Sequence, residues 1–348
     1  YIKDIAAEYI EKYGSADAPG APSLKDFGSS AMLERIKSDL REFGIEFDSW
    51  FSERSLDDTG MVAATIDELK QKGHVFESEG ALWFRTTAFG DDKDRVLIKA
   101  DGERTYFASD IAYHRDKIER GFSSIVNIWG ADHHGYEGRI RALIKALGYD
   151  DRVLKIIFIQ LVALLRGGVP VAMGKREGEF VTLRQVMDEV GRDACRFFFL
   201  MRRSDAQLDF DLDLAKSQAP ENPVYYVQYC HARIKSIIAF AAEKGFALPE
   251  SFDAKLLSRL DQKEEAELIR HLGSFGEVVE RSAESMEPHK VTFYLMDLAA
   301  LFHPYYNKNR VVTDDPELTS ARLLLCNAVA TVAANGLRLL GVSAPEKM

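Results

Sequence analysis

Short apolar runs and amphipathic stretches alternate along the first half of this chain. The runs at 96–99, 125–129 and within 153–165 have the length of β-strands. Between them, 105–120 and 139–147 repeat apolar side chains every three to four positions, which is the period of an α-helix. Strands that alternate with helices predict a parallel sheet with helical crossovers. In such a sheet, ligands bind beyond the carboxyl ends of the strands.

The first hundred residues carry weaker periodic signals. We predict helices over 1–15, 29–43 and 65–72 and a strand over 81–87. Gly, Ala, Pro and Ser dominate 14–23, and this composition indicates a loop.

Beyond Pro220 the apolar positions keep a helical period, and no convincing strand pattern occurs. We predict helices over 231–244, 254–272, 275–286, 290–304 and 318–340. Consecutive amphipathic helices without strands are typical of an all-helical bundle. Pro220 and Pro223 mark its start.

The composition is that of a soluble globular protein, with 46% hydrophobic and 29% charged residues among 348, and the length suggests two or three domains. No apolar run approaches the roughly 20 residues that cross a bilayer. The most apolar stretch, 323–340, contains Asn327, Asn335 and Arg338, and so predicts a buried helix. We therefore expect no membrane association.

Cysteine usage and net charge narrow the function further. The three cysteines form no Cys-x-x-Cys pair, which argues against a disulfide framework and a cysteine zinc site and indicates a reducing cytoplasm. Each lies in an apolar helical stretch, so we expect all three thiols to be buried and inert. The net charge of −10 argues against an extended nucleic-acid surface, so that any RNA contact must come from local patches.

A Lys-Arg pair between glycines is the first candidate for chemistry. Lys175 and Arg176 follow Gly174 and precede Gly178. Two cations on such a loop can offset the charge that develops on a leaving pyrophosphate. Taken without its flanks, the pair is more often a solvated basic turn.

The flanks of this pair carry a family resemblance. Val171–Leu183 resembles the Met-Ser-Lys-Arg loop of class I aminoacyl-tRNA synthetases, with Gly174 in the place of Ser. Its end, Phe-Val-Thr-Leu, has the form of the arginyl enzymes. The resemblance implies that Lys175 and Arg176 are catalytic and that Met173, Gly174 and Lys175 contact ATP.

A second candidate, Trp129–Tyr136, follows a predicted strand. Gly130 would let the backbone approach a ribose, and the carboxylate of Asp132 can accept hydrogen bonds from two hydroxyls. Asp132, His133 and His134 are also metal-ligand types, so the residues alone leave nucleotide, metal and structural interpretations open. The segment is similar to the Gly-x-Asp element that class I synthetases place under the ATP ribose. This similarity assigns Gly130, Asp132 and His133 to ATP and implies no metal site.

A third candidate lies on the helix predicted for 105–120. Tyr106 and Asp110 are four positions apart, hence on one helix face. A carboxylate beside a phenol suits a planar cation, because guanidinium donates two parallel hydrogen bonds to a carboxylate. Such a pair in isolation is usually a surface pair. The resemblance to arginyl-tRNA synthetases implies that Tyr106 and Asp110 hold the guanidinium of arginine, while Tyr113 and His114 either support them or belong to the core.

The approach to the predicted bundle also resembles the arginyl family. Leu208–Ala215 and Asn222–Ile234 look like the beginning of its anticodon-binding domain, although a solvated acidic helix followed by a core helix would explain the same residues. The resemblance implies that Tyr306, Met348 and Arg233 contact the anticodon loop of tRNA. For Tyr306, stacking on an unpaired base and burial in the bundle explain the residue equally well.

Taken together, the resemblance implies an α/β fold with the class I nucleotide-binding parallel sheet, followed by an all-α anticodon-binding bundle. We expect the remainder of a first catalytic half with an inserted region over 1–100, a second catalytic half over 101–219 and the bundle over 220–348. The implied activity is arginine–tRNA ligation with ATP and Mg²⁺, in a cytoplasmic enzyme that is a monomer when intact.

The family's His-x-Gly-His element, which contacts the ATP phosphates, does not occur in the sequence. We therefore expect an N-terminally truncated catalytic domain, with a sheet incomplete on that side, which forms no adenylate by itself. A non-catalytic tRNA-binding fragment, another class I ligase such as a cysteinyl enzyme, and a metallohydrolase built on Asp132, His133 and His134 remain alternatives.

Overall fold

The structure is a computed structural model that describes residues 1–16, 18–171 and 181–348. Its helices are α1 (Ile2–Tyr13), α2 (Leu24–Phe43), α3 (Glu53–Asp58), α4 (Met61–Gln71), α5 (Tyr106–Glu119), α6 (Glu137–Leu147), α7 (Leu183–Val190), α8 (Arg192–Leu200), α9 (Leu212–Lys216), α10 (Pro223–Glu243), α11 (Ala254–Leu257), α12 (Lys263–Gly273), α13 (Phe275–Ser285), α14 (His289–Lys308) and α15 (Pro316–Leu339). Its strands are β1 (Val75–Ser78), β2 (Ala81–Phe84), β3 (Arg95–Ile98), β4 (Ile125–Gly130), β5 (Leu154–Ile159), β6 (Val162–Arg166), β7 (Val169–Pro170) and β8 (Leu208–Asp211).

These elements form two compact units. The larger unit comprises Tyr1–Glu46, Val162–Arg203 and Leu208–Met348, and the smaller unit comprises Phe47–Leu161 with Ser204–Gln207. The domain division expected from the sequence, with boundaries after residues 100 and 219, stays a prediction.

The smaller unit contains two separate sheets. Strands β4 and β5 pair in parallel from Ile125–Leu154 to Gly130–Ile159, as the alternation of strands and helices predicts. Strand β3 does not join them. It pairs antiparallel with β2, which pairs antiparallel with β1, so the expectation that the 96–99 run belongs to the parallel sheet is wrong. Strand β1 was missed because only two of its four residues are apolar. The predicted strand over 81–87 ends at Phe84 and is followed by a 3₁₀ turn.

Helices α4, α5 and α6 supply most of the core of the smaller unit. Fully buried side chains from these helices and from the antiparallel sheet meet there, among them Val62, Leu69, Phe84, Leu97, Ile111, Ile140, Leu143 and Ile144. This apolar contact fixes how α5 is rotated about its axis.

In the larger unit, β6 pairs in parallel with β8 and antiparallel with β7. The alternative of a solvated acidic helix over 208–215 is therefore wrong for its first half. Leu208 and Phe210 are buried and Asp209 is exposed, which is the two-residue alternation of a strand. Asp211 then ends the strand and caps α9, because its carboxylate accepts the backbone N–H groups of Asp213 and Leu214.

The remainder of the larger unit confirms the all-helical prediction for 220–348, since every regular element there is a helix and all of these residues are described. One predicted helix, 254–272, is divided into α11 and α12. A new helix start causes the division, since the Gln262 side chain and Glu265 form a capping box at the beginning of α12.

Helix α15 packs in the centre of this bundle. Among the described residues it is the helix that is long and apolar enough to cross a membrane, but 56% of its most apolar window is buried inside the protein. Gly336 lets it approach α14 closely, because a Cβ atom there would lie 2.6 Å from a methyl group of Leu295. These contacts confirm the prediction of a buried helix.

The three cysteines are buried and unpaired, as predicted. Burial raises the pKa of the Cys195 thiol to about 11 and that of Cys326 to about 12, and it raises the pKa of Cys230 as well. Thiolates are therefore scarce at neutral pH, which fits inert side chains.

A buried ion pair joins the helices of the bundle. Glu265 on α12 is fully buried and accepts a hydrogen bond from Arg322 Nε of α15 at 2.8 Å. The Tyr305 hydroxyl of α14 lies 3.4 Å from the same carboxylate oxygen. Arg322 Nη1 also donates to the backbone carbonyl of Arg310 at 2.7 Å. Removing one member would leave an uncompensated charge in the core.

We predict that Arg322→Met lowers the free energy of unfolding by about 3–5 kcal/mol, because the Glu265 carboxylate loses its counter-charge. Urea unfolding followed by far-UV circular dichroism measures the loss. The double variant Glu265→Gln/Arg322→Met should lose less than Arg322→Met alone, since no charge is then left unpaired. Equal losses in the two variants would contradict the importance of the pair.

Candidate functional site

A cavity of about 550 Å³ opens in the smaller unit. Its wall combines the first turns of α3, the exposed side of α5, the carboxyl end of β4 and the 3₁₀ turn Ala131–Tyr136. Ligand sites of α/β proteins are found at this end of parallel strands. The position of the cavity is therefore that of a ligand site.

The sequence of α5 determines which side chains reach this cavity. Thr105 precedes the helix and donates from its hydroxyl to the Val96 carbonyl at 2.9 Å, which ties the helix start to β3. Phe107 and Ile111 are buried on the core side of the helix. Tyr106 and Asp110 consequently line the cavity together, one helical turn apart. Tyr106 is 82% exposed, so its ring is available to a ligand.

The Asp110 carboxyl lies in a partly desolvated environment with charges of both signs nearby. Burial raises its pKa, and the carboxylate of Glu53 raises it further. The charges of Lys117, Arg139 and His133 act in the opposite direction. Among the described residues, no donor is hydrogen-bonded to the Asp110 side chain, so both of its oxygens are free to accept from a ligand.

Glu53 is a site residue that the sequence patterns missed. It is the first residue of α3 and lines the same cavity as Asp110. No local motif surrounds it, and the two carboxylates come from distant parts of the chain. Only the fold reveals that they share one space.

A chain of hydrogen bonds runs along the cavity wall. Lys117 Nζ donates to Asn127 Oδ1 at 3.0 Å, and Asn127 Nδ2 donates to His114 Nε2 at 2.7 Å. His114 Nδ1 donates to the backbone carbonyl of Asp110 at 2.8 Å. The Lys117 ammonium at one end can only donate, and the Asp110 carbonyl at the other end can only accept. These two ends therefore fix the donor and the acceptor of every hydrogen bond between them.

This chain of hydrogen bonds determines the protonation state of the His114 imidazole. Its imidazole is buried, neutral and protonated on Nδ1. Burial lowers its pKa to about 4, with Lys117 contributing in the same direction. His114, which the sequence left between a supporting and a core role, therefore belongs to the site's support. Tyr113 stacks on Phe51, with ring centroids 4.4 Å apart, and lies under the Lys117 ammonium at 4.3 Å.

The Gly130–His134 segment ends β4 and begins the 3₁₀ turn. A Cβ atom on Gly130 would lie 2.6 Å from Asp132 Oδ1, so no other residue fits without moving that carboxylate. Asp132 is exposed, and its Oδ2 is 3.7 Å from His133 Nε2. His133 lines the cavity, whereas Gly130 and Asp132 lie beside it.

The two adjacent histidines point to different surroundings. The ring of His134 stacks on Phe158 of β5 at 3.7 Å, while the ring of His133 packs edge-on against Tyr136. Within residues 1–16, 18–171 and 181–348, no three His, Cys, Asp or Glu side chains are grouped so that they could hold a metal ion. The metal interpretation of this segment thus finds no support.

The predicted pyrophosphate loop, with Met173, Gly174, Lys175 and Arg176, lies outside the described residues. The elements on both sides of it are well fixed. Before it, the Asp211 carboxylate accepts from the backbone N–H groups of the glycines in the β6–β7 turn. After it, Thr182 caps α7 through a capping box with Gln185.

The larger unit has a separate cavity of about 530 Å³ that contains two of the predicted RNA-contacting residues. The Arg233 guanidinium lies 5.2 Å from the centre of the Tyr306 ring, and the rings of Tyr306 and Phe302 are stacked with centroids 6.1 Å apart. Arg310 of the following loop completes a basic and aromatic lining. Met348 lines a different cavity and is not brought together with Tyr306.

Two family descriptions match the chain. "tRNA synthetases class I (R), catalytic domain" covers residues 5–207, and "DALR anticodon binding domain" covers residues 227–348. The resemblance seen in the sequence is thereby confirmed.

Curated relatives agree over the whole chain. Arginine–tRNA ligases of Citrifermentans bemidjiense and Syntrophotalea carbinolica are each 54% identical over 100% of this chain and 64% of their own length. The ligase of Moorella thermoacetica is 48% identical over 98% of this chain and 61% of its own length. The chain thus spans less than two thirds of these relatives.

Solved structures support the fold. A putative arginyl-tRNA synthetase from Campylobacter jejuni superimposes with a TM-score of 0.89 at 38% identity, over 99% of this chain and 75% of that one. The Thermus thermophilus arginyl-tRNA synthetase has a TM-score of 0.74 at 23% identity, over 93% of this chain and 66% of that one. A Mycobacterium tuberculosis methionyl-tRNA synthetase reaches 0.69 at 11% identity, over 96% and 81% of the two chains. The last two likenesses concern the fold alone.

We predict that His114 stays neutral and protonated on Nδ1 down to about pH 4, because its site excludes the charged form. The unfolded chain binds this proton near pH 6.5, so the stability contributed by the neutral site is complete above that pH and is lost as the pH falls towards 4. The loss amounts to about 3 kcal/mol. Imidazole ¹⁵N NMR measures the titration directly, and a midpoint near 6.5 or a proton on Nε2 would contradict it.

Proposed function

The chain belongs to the class I tRNA synthetases of the arginyl type, and on this basis we propose that it carries out, or contributes most of the site for, arginine–tRNA ligation. In this reaction ATP activates arginine to arginyl-adenylate, and the arginyl group is then transferred to the 3′-terminal adenosine of tRNA(Arg). One observation carries the proposal: two carboxylates, Asp110 and Glu53, share an aromatic-walled cavity at the end of a parallel sheet.

The cavity suits the guanidinium of arginine. Asp110 offers two unpaired carboxylate oxygens, the geometry that a planar guanidinium recognises with two parallel N–H donors. Glu53 adds a second negative charge, and the exposed hydroxyl of Tyr106 adds a hydrogen-bond acceptor. The partly desolvated environment strengthens these contacts, because charges attract more strongly where water is excluded.

ATP would lie beside this cavity. Gly130 makes room for the Asp132 side chain at the carboxyl end of β4, and this exposed carboxylate can accept from both ribose hydroxyls. His133, between this carboxylate and the cavity, would border the adenylate. Lys175 and Arg176, with Met173 and Gly174, would stabilise the departing pyrophosphate, and this role rests on the sequence.

Activation requires in-line attack of the arginine carboxylate on the α-phosphate of ATP. The residues described here would contribute by positioning, because the guanidinium anchor at Asp110 fixes one end of the substrate and the ribose anchor at Asp132 fixes the other. Holding two reactants in alignment lowers the barrier without a nucleophilic side chain.

Mg²⁺ is expected to accompany ATP. The described part of the chain contains no carboxylate group arranged to hold the ion on its own, so its residues give no fit for an independent magnesium site.

The cavity around Tyr306 and Arg233 suits an unstacked base of the anticodon loop. An aromatic ring capped by a guanidinium gives a flat, cationic platform on which any base can stack. Because Tyr306 is only partly buried, its place in the bundle is compatible with both packing and binding. Met348 would contact RNA at a different point from Tyr306, since it lines another cavity.

The remaining inferences follow from family membership. We infer a cytoplasmic enzyme, monomeric when intact, that has no membrane partner.

Another class I ligase of the cysteinyl type is disfavoured, because the three thiols are buried and unpaired. A non-catalytic tRNA-binding role is the second candidate. Arginine-dependent exchange between pyrophosphate and ATP, with tRNA present, distinguishes ligase from binding protein. The expectation that the 348-residue chain alone forms no adenylate stays a prediction.

We predict that Asp110→Asn weakens L-arginine binding at least about ten-fold, since a charge-assisted hydrogen bond contributes roughly 1.5–3 kcal/mol. Titration calorimetry with L-arginine measures the loss. L-citrulline has the same shape as L-arginine but lacks the charge. It should bind weakly to wild type and to Asp110→Asn, with similar affinity for the two. Asp67→Asn removes an exposed carboxylate of α4 in the same unit and is the matched control. Unchanged arginine affinity in Asp110→Asn would exclude Asp110 from the site.

We predict that Tyr306→Ala weakens binding of the tRNA(Arg) anticodon hairpin by roughly five-fold or more, because stacking contributes about 1–3 kcal/mol for each base. Tyr306→Phe should keep the affinity, as the ring is retained. Phe252→Ala removes an exposed aromatic ring that lines neither the cavity around Tyr306 nor the cavity of Met348, and it should have no effect. Fluorescence anisotropy at several salt concentrations measures all three, and equal affinities for wild type and Tyr306→Ala would refute the stacking role.

A further inference from the structure

A lysine lies in the wall of the cavity to which we assign a cationic substrate. Lys117 lines this cavity together with Asp110 and Glu53. An ammonium group there repels a guanidinium, so simple complementarity does not explain it. The lysine must therefore serve the site in another way.

The position of the Lys117 ammonium is fixed rather than incidental. It donates to Asn127 Oδ1 at 3.0 Å and lies 4.3 Å above the ring of Tyr113. Asn127 is only 5% exposed and His114 only 4%, so the hydrogen-bond chain behind the ammonium is closed to water. A flexible surface lysine would have none of these constraints.

The partly buried position disfavours the charged form of the Lys117 side chain. Burial lowers the pKa of Lys117, and Arg120 lowers it further, while the carboxylates of Asp110 and Asp116 oppose this effect. A neutral side chain of similar length would pack in the same space without the cost of desolvation. The charge itself is thus the property that calls for a function.

The Lys117 charge acts on Asp110. The two residues are two helical turns apart on the cavity side of α5. Glu53 faces Asp110 from α3, Arg139 from α6 and His133 from the 3₁₀ turn, and of these groups only Glu53 disfavours the ionised carboxylate. Without the Lys117 charge, burial and Glu53 would be opposed only by Arg139 and His133, so the Asp110 carboxyl would keep its proton to a higher pH.

Lys117 and Asp110 are not directly paired. No ion pair within 4 Å joins them in the described part of the chain, although ion pairs elsewhere on α5 are present, such as that of Arg120 with Asp116. The ammonium donates instead to Asn127 Oδ1 at 3.0 Å. A direct pair would occupy the oxygens of Asp110 and would have to break before a substrate could bind.

We propose that Lys117 is a positioning residue that keeps Asp110 ionised in the empty cavity while leaving both carboxylate oxygens open to the incoming guanidinium. The hydrogen bond to Asn127, which is itself bonded to the neutral His114, fixes the ammonium in the cavity wall. The consequence for the substrate rests on the proposed function, whereas the effect on Asp110 does not.

The effect on Asp110 is measured without any substrate. Selective ¹³C labelling of aspartate carboxyl carbons, with the Asp110 resonance assigned by its loss in Asp110→Asn, gives the titration of this group in the 348-residue chain. Lys117→Met keeps the aliphatic stem and removes the charge. We expect it to raise the pKa of Asp110 by about 0.5–1 unit, the size of an interaction across a partly solvated cavity.

Three further variants isolate the charge. Lys117→Arg should leave the Asp110 titration close to that of wild type. Lys145→Met removes a lysine that pairs with Asp151 in the same unit outside the cavity, and it should also leave the titration unchanged. Lys117→Gln gives a second neutral side chain should the Met variant not fold. An Asp110 titration that is the same in wild type and in the neutral variants overturns the proposal.

The pH dependence of arginine binding tests the role of Lys117 and the proposed arginine site independently of each other. In wild type, L-arginine affinity should decline as Asp110 becomes protonated, and in Lys117→Met the decline should begin at a higher pH. If the Asp110 titration shifts but arginine affinity follows neither titration, the proposed substrate site is wrong and the effect of Lys117 on Asp110 stands. If arginine binds as proposed but the titration does not shift, only the role of Lys117 is refuted.

Discussion

The apolar face of α5 is the constraint on which the candidate site depends. Phe107 and Ile111 are buried in the core of the smaller unit, and they fix the rotation of the helix. Once this rotation is set, Tyr106, Asp110 and Lys117 face the cavity because of their spacing alone. Rotating the helix by one residue would bury a carboxylate and expose a phenylalanine. Core packing thus determines where the charges of the site are placed.

The sequence predicted the elements whose patterns are long and regular. The bundle helices keep their apolar period over several turns, and β4 ends at a glycine, so both could be recognised before the fold was known. Strand β8 could not, since its two aspartates gave an acidic composition that masked a two-residue alternation. Strand β1 could not be predicted, because it is short and two of its four residues are polar. Together with β2, which pairs with both β1 and β3, it forms the antiparallel sheet that the sequence did not predict.

The same limit applies to the site. Tyr106 and Asp110 could be identified because their spacing on one helix is visible in the sequence and matches a family pattern. Glu53 and Asn127 could not be identified, since each reaches the cavity from another element and neither belongs to a motif. Lys117 lies on the same helix as Asp110, but its role depends on the buried asparagine that restrains it. Contacts between distant segments are a property of the fold and leave no local trace in the sequence.

The three buried cysteines have a practical consequence. Cys195, Cys230 and Cys326 all belong to the larger unit, and the smaller unit, with the cavity, contains no cysteine. A thiol reagent can modify these side chains only when the helices around them open. Its rate of reaction therefore measures how often the larger unit opens. The cysteines thus provide an intrinsic probe of local unfolding in the helical core, while the smaller unit, with the candidate cavity, does not react with the reagent.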